Sequence, residues 1–306
     1  MRAAILQAPA TDPQVGAFDD PIPTTGQLAV AVAAAGVNPI DIRLASGQLG
    51  QPRTPAVVGL EGVGTLDDGQ RIYFSPCVWP YGSWAQRTLV EPERAFPVPD
   101  GLSDELAVAI GISGIAAWIP LAYHADVQPG ESVLVLGATG TVGRIAVQAA
   151  KLLGAGRVVG AARDADALRE VEQLGADATV PLCDDYAAAL RDAAGAGFDV
   201  VIDPLYGEPF EAALPAAAIG ARLVTIGESA GPLARIPFRA LQGRTHVGHG
   251  SAMMPNELLR DAYAKLAEHA VAGRIAVEVE RYPLERAGEA WRAQQAGLRR
   301  KLVIVP

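Results

Sequence analysis

The chain has 306 residues, 50% of them hydrophobic and 19% charged, with a net charge of −9. Length and apolar content predict about two domains built around a large core. The acidic balance argues against nucleic acid as the main partner, and no apolar run approaches the ~20 residues needed to cross a bilayer.

In chain order, the N-terminal stretch MRAAILQAPATDPQ lacks the apolar centre of a signal peptide, so a cytosolic protein is expected. Residues 1–115 read as short strands broken by Gly and Pro (LAVAVAAAGV, AVVGLEGVGTL, QRIYFSP, SWAQRTLV), which predicts an all-β, barrel-like unit. Cys77 and Cys183 lie far apart, in no C-x-x-C or Cys/His cluster. Two reduced thiols are expected, rather than a disulfide or structural zinc. From Ser132 strands and helices alternate: SVLVLG, VGRIAVQAAKLL, RVVGAAR, DALREVEQLG, ATVPL, DYAAALRDAAG, DVVIDP, EPFEAALPAAA and RLVTIG. That alternation predicts an α/β unit, a doubly wound parallel sheet with helices on both faces. NELLRDAYAKLAEHAVAG reads as a long helix, and the tail returns to strand, helix, strand.

The stretch LGATGTVGR, residues 136–144, follows a buried aliphatic strand and opens a helix with Val142, Ile145, Ala146, Ala149, Ala150 and Leu153 on one face. A loop in that position presents free N–H groups and the positive end of a helix dipole to an anion. Ala138, Thr139, Gly140, Thr141, Val142 and Gly143 are therefore expected to cradle a pyrophosphate, Gly140 by letting the backbone approach it and Gly143 by letting the helix pack on the sheet. Ala138 stands where the usual motif has its first glycine, and a tight turn that binds nothing is the alternative. About 20 residues on, where an NAD site places Asp or Glu, the chain reads GAARD. Arg163 is expected to pair with the 2′-phosphate of NADP, against the alternative of a solvated surface arginine. Asp164 is expected to cap the next helix.

The segments GVNPID, GLEGVG, VQPGESVLVLGATGTVGRIAVQAAKLLGA and KLVIVP resemble the zinc-independent quinone oxidoreductases of the medium-chain dehydrogenase/reductase superfamily. The resemblance implies a Rossmann-type sheet plus a GroES-like β-barrel catalytic domain. The catalytic domain would comprise 1–115 with 254–306 returning to it, and the NADP-binding domain 116–253. It further implies NADPH, a small-molecule quinone or enone acceptor and a homodimer. Zinc-dependent members carry a cysteine near the position of Asn38 and a histidine at that of Leu60, so no metal is expected here.

Asn38 reads as a helix cap, with Pro39 at the first position and Asp41 in the first turn. The resemblance adds that Asn38 lies near the nicotinamide and hydrogen-bonds substrate. Tyr81 and Trp84 match positions lining the family's substrate cleft, Tyr81 as a donor to a carbonyl and Trp84 as substrate contact or as packing. A tyrosine common in relatives is missing from DIRLASG, and Ala116 replaces a threonine. Ile226, Gly227 and Gly250 complete the expected cofactor site, with His249 read either as an acid or as a solvent-facing loop residue. Two rivals remain at this level. GESAG, residues 227–231, matches a hydrolase nucleophile elbow on Ser229, with Asp261 and His269 following in order. The same fold could also serve as a non-catalytic NADPH-binding sensor.

Overall fold

Alternation of small apolar residues in the first third of the chain produces short paired strands. In the computed structural model, which describes residues 1–183 and 185–306, these are β1 (Arg2–Leu6), β2 (Gln14–Ala17), β3 (Leu28–Val37), β4 (Ala56–Val57), β5 (Gly62–Thr65), β6 (Arg71–Phe74), β7 (Arg87–Val90) and β8 (Ala95–Pro97). Two helices interrupt them, α1 (Pro39–Ala45) after β3 and α2 (Asp104–Ala109) after β8. Helix α2 starts where the Ser103 hydroxyl accepts the Leu106 N–H.

The chain then runs through α3 (Ile112–Ile119) into alternating strands and helices. These are β9 (Ser132–Leu136), α4 (Thr141–Leu152), β10 (Arg157–Ala162), α5 (Ala165–Gln173), β11 (Ala178–Pro181), α6 (Tyr186–Ala194), β12 (Phe198–Asp203), α7 (Gly207–Ala213), β13 (Ala217–Thr225), α8 (Phe238–Leu241) and β14 (Thr245–Gly248). The strands form one parallel sheet in the order β11-β10-β9-β12-β13-β14. Strand order therefore reverses between β9 and β12, the arrangement of a dinucleotide-binding doubly wound fold. Leu134, Leu136, Val159, Val201 and Leu223 are fully buried in its core, as expected for strands covered on both faces.

The tail supplies α9 (Asn256–Val271), β15 (Val279–Pro283), α10 (Ala287–Gln295) and β16 (Lys301–Val305). One compact unit comprises Met1–Ile112, Asn256–Gly273 and Val277–Pro306; the other comprises Ser113–Pro255 with Arg274–Ala276. In the first unit β2-β1-β4 make a small antiparallel sheet. A larger sheet runs β15-β16-β3-β5-β6-β8, with β7 also paired to β3. The C-terminal strand β16 thus lies directly against β3. The core between them holds Trp84 and Trp291 edge to face, with ring centroids 5.8 Å apart.

Glycine spacing in the β9–α4 loop separates steric need from open space. A Cβ on Gly143 would stand 2.3 Å from the Gly137 carbonyl oxygen and 2.7 Å from Ala138 Cα, whereas one on Gly140 would meet only the Gly137 oxygen, at 3.5 Å. Gly143→Ala is therefore expected to cost about 1–3 kcal/mol, and Gly140→Ala to leave stability within about 0.5 kcal/mol. Equilibrium urea denaturation checks both.

Candidate functional site

The first unit buries a charged cluster around Glu61, which is fully inaccessible. Its Oε1 accepts from Asn38 Nδ2 at 2.9 Å and from Lys301 Nζ at 2.7 Å. Its Oε2 accepts from the Tyr73 hydroxyl at 2.9 Å and from the Ile112 N–H, the first of α3, at 2.6 Å. Lys301 Nζ also donates to Asn38 Oδ1 at 2.7 Å. Room for the carboxylate comes from two glycines. A Cβ on Gly36 would stand 2.3 Å from Glu61 Oε1, and one on Gly111 would stand 2.4 Å from Oε2. Such a pair is stable only where hydrogen bonds compensate its desolvation, as the four on Glu61 do here.

Asn38 is positioned as its sequence predicts. It precedes Pro39 at the start of α1, and its N–H donates to the Asp41 carboxylate at 2.8 Å. Its side chain departs from the expectation of a group free to bind substrate. The amide oxygen is taken by Lys301 and one N–H by Glu61, which leaves a single N–H uncommitted. Lys301 itself was not singled out from the sequence, although a lysine opening the aliphatic run KLVIV is an anomaly that marks it.

Beside this cluster the first unit holds a cavity of about 310 Å³. Tyr81 lines it, together with Leu44, Leu49, Leu60, Cys77 and Asp41. The Tyr81 ring packs edge to face on Phe18 at 6.0 Å. Asp41 accepts from Asn38 N–H and from Leu60 N–H, the latter at 3.1 Å. Burial pushes its carboxyl up to about 7 despite those bonds. Burial likewise pushes the Cys77 thiol up to about 12, so it stays neutral. Trp84 does not share this wall: it is fully buried in the core and donates through Nε1 to the Gly36 carbonyl at 3.0 Å. Its role is packing, which corrects the substrate-binding expectation.

In the second unit the expected cofactor residues collect at the carboxyl ends of the parallel strands. Gly137, at φ +61°, turns the chain out of β9, and Ala138, Thr139 and Gly140 lead into α4, whose first residues are Thr141, Val142 and Gly143. Arg144 braces this loop through Nε to the Thr139 carbonyl at 3.0 Å and is held by Glu170 of α5. Arg163 is exposed immediately beyond β10, and Asp164 caps α5 by accepting from Asp166 and Ala167 N–H. Ile226 donates its N–H to the Asp203 carbonyl at 2.7 Å, and a Cβ on Gly227 would lie 2.9 Å from the Pro204 oxygen. Asp203, unnoticed in DVVIDP, is fully buried at the end of β12. There it fixes the following turn by accepting from Leu205 and Tyr206 N–H, each at 2.9 Å. Gly250 follows β14.

One rival reading fails here, as the two prolines of PLARIPF foretell, and one expectation is corrected. The segment after Ser229 is not helical until Phe238, and the Ser229 hydroxyl donates to the Pro204 carbonyl at 3.1 Å. No nucleophile elbow exists at that position. His249 is not solvent-facing: it is 7% exposed, with Nδ1 3.1 Å from His124 Nε2 and Nε2 2.9 Å from the Ser251 hydroxyl.

Two measurements follow from these contacts. Lys301→Met strands a buried carboxylate and is expected to cost about 3–5 kcal/mol, whereas the Lys301→Met/Glu61→Gln double variant recovers most of that in urea denaturation. Burial, reinforced by His124, lowers the His249 imidazole from 6.5 to about 4. Its contribution to stability is therefore complete above pH 6.5 and declines as the pH falls from 6.5 toward 4, by about 3 kcal/mol. The unfolding free energy of His249→Gln should lack that slope.

Two family models match the chain: an alcohol dehydrogenase GroES-like domain over residues 24–100 and a zinc-binding dehydrogenase over residues 141–269. A mycocerosic acid synthase-like polyketide synthase of Mycobacterium tuberculosis is 29% identical over 92% of this chain, which spans only 14% of that protein's length. A Homo sapiens quinone oxidoreductase is 28% identical over 88% of this chain and 85% of its own. The quinone oxidoreductase of Thermus thermophilus, solved also as its complex with NADPH, superposes with a TM-score of 0.87 at 28% identity, covering all of both chains. With the two-unit architecture and the strand order above, these matches establish that the chain belongs to the medium-chain dehydrogenase/reductase superfamily, in its quinone oxidoreductase branch.

Proposed function

We propose that this chain is a cytoplasmic, homodimeric, NADPH-dependent oxidoreductase that delivers hydride to a quinone or an α,β-unsaturated carbonyl without a metal. The observation that carries the proposal is an open glycine cradle paired with Arg163. A Cβ at Gly140 would meet nothing beyond its chain neighbours closer than 3.5 Å, which leaves space beside the backbone for a ligand. Arg163 stands exposed where an NAD site has an acid. No helix is long and apolar enough to cross a membrane among the described residues. The outer edge of β14 carries no further strand among those residues, and Ile219 on neighbouring β13 is 78% exposed, which supports a second copy docking there.

Bound NADPH supplies the hydride. The backbone of Ala138–Gly143 and the start of α4 receive its pyrophosphate, Arg163 its 2′-phosphate, and Ile226, Gly227 and Gly250 border its remaining length. In the first unit the Tyr81 hydroxyl, on the cavity wall, donates to the acceptor's carbonyl oxygen, stabilises the oxyanion and returns a proton. Asn38 offers its one uncommitted N–H as a second donor.

The donor set does not fit the zinc of metal-dependent relatives. Leu60 has no ligating atom, the Asn38 amide oxygen and Glu61 Oε1 are engaged by the Lys301 ammonium, and Glu61 Oε2 already accepts from Tyr73 and Ile112. Among the described residues no three His, Cys, Asp or Glu side chains come together to hold a metal ion. Without a Lewis acid to stabilise an alkoxide, acceptors already electrophilic at carbon are the substrates that fit.

The test is turnover of NADPH and NADH against a panel of quinones and enones. NADPH should be preferred by roughly ten- to hundredfold. Arg163→Ala should remove that preference while leaving NADH nearly unchanged, and Tyr81→Phe should lower kcat about tenfold at constant NADPH affinity. NADPH binding with no turnover anywhere on the panel would replace the enzyme by a sensor. Activity that rises with added zinc would overturn the metal-free mechanism.

A further inference from the structure

The cavity of the first unit has one feature the proposed chemistry does not use. Arg53 and Trp79 both line it, and the Arg53 guanidinium lies over the Trp79 ring, 4.0 Å from its centroid. The Trp79 Nε1–H donates back to the Arg53 carbonyl at 3.4 Å. Stacking engages the face of a guanidinium and leaves its in-plane N–H donors available.

Several other arginines of this acidic chain are paired within it: Arg71 with Asp104, Arg144 with Glu170, Arg222 with Glu131 and Arg286 with Glu289. No carboxylate of the described residues pairs with Arg53. The other ionisable groups on the wall do not compensate it. Asp41 turns both carboxylate oxygens to backbone N–H groups, and Cys77 points its thiol at the Leu60 carbonyl. The rest of the lining is predominantly apolar, including Leu6, Leu44, Val57 and Pro80.

We infer that Arg53, held by Trp79, is the specificity-determining residue for an acceptor whose apolar unsaturated body fills this cavity and which ends in a carboxylate. A planar guanidinium with free edges takes a carboxylate in a bidentate manner, and a neutral acceptor of the same shape leaves those donors to water. The volume of about 310 Å³ stands at the small end of ligand pockets, suited to a one- or two-ring acceptor. This inference rests on the proposed reductase activity for its substrate class, but its binding component does not.

The experiment compares benzylideneacetone bearing a para-carboxylate with its methyl ester. The wild-type protein should show kcat/KM about tenfold higher for the carboxylate, an advantage that shrinks as ionic strength rises. Arg53→Gln should lower kcat/KM for the carboxylate alone, and Trp79→Leu should do so partially. Equal losses for both compounds, or a wild-type preference for the ester, would overturn the inference. If neither compound is reduced, calorimetry with the saturated carboxylate and its ester decides the site, and the quinone and enone panel separately decides the proposed activity. Tighter binding of the carboxylate that disappears in Arg53→Gln sustains it, and equal binding of the two refutes it.

Discussion

Everything in the first unit is arranged around one buried carboxylate. Glu61 receives hydrogen bonds from the cap of α1, from β6, from the opening N–H of α3 and from the last strand, so four distant stretches are fixed at one point. Removing a carboxylate and an ammonium from water is costly, and their attraction offsets that only when every remaining site is matched. Gly36 and Gly111 admit Glu61, and Tyr73 stacks on Tyr263 at 4.5 Å to hold the phenol that donates to it. The same point sets what chemistry is possible nearby. The Asn38 oxygen and Glu61 Oε1 face the Lys301 ammonium, and the Asn38 amide cannot turn over without breaking two bonds.

The second unit solves a different problem, turning the chain sharply where its parallel strands end. Its strands are aliphatic because both faces are covered, so polar groups gather at their ends. The Ile226 N–H donates to the Asp203 carbonyl, and the Asp203 carboxylate accepts from Leu205 and Tyr206 N–H. These bonds fix the turn after β12 and the exit of β13, while Arg144 ties the glycine loop to α5 through Glu170. The cradle is rigid because its curvature is hydrogen-bonded from behind.

The periodic features were legible in the sequence because each depends on near neighbours. The cap at Asn38-Pro39-Asp41, the cap at Asp164, the glycine loop and the strand–helix alternation all follow from residues within a few positions of one another. What depends on long-range pairing was not legible. Lys301 meets Glu61 across 240 residues, and His249 meets His124 across 125. GHG therefore looked like an exposed turn, and Asn38 looked free for substrate. Trp84 shows the remaining ambiguity: a tryptophan near a binding segment reads alike whether it faces a ligand or the core. In hindsight the visible trace of the hidden cluster was charge in apolar company, Glu61 within GLEGVG and Lys301 ahead of LVIV.

The placement of β16 against β3 has a consequence for how the molecule is made. The nucleotide-binding unit is almost one continuous stretch of chain, so its sheet can close while synthesis is still under way. The other unit cannot. Its largest sheet lacks an inner strand, and Glu61 lacks its counter-charge, until the segment around Lys301 has left the ribosome. Of the two units, the one that begins earlier in the chain is therefore the one that closes last.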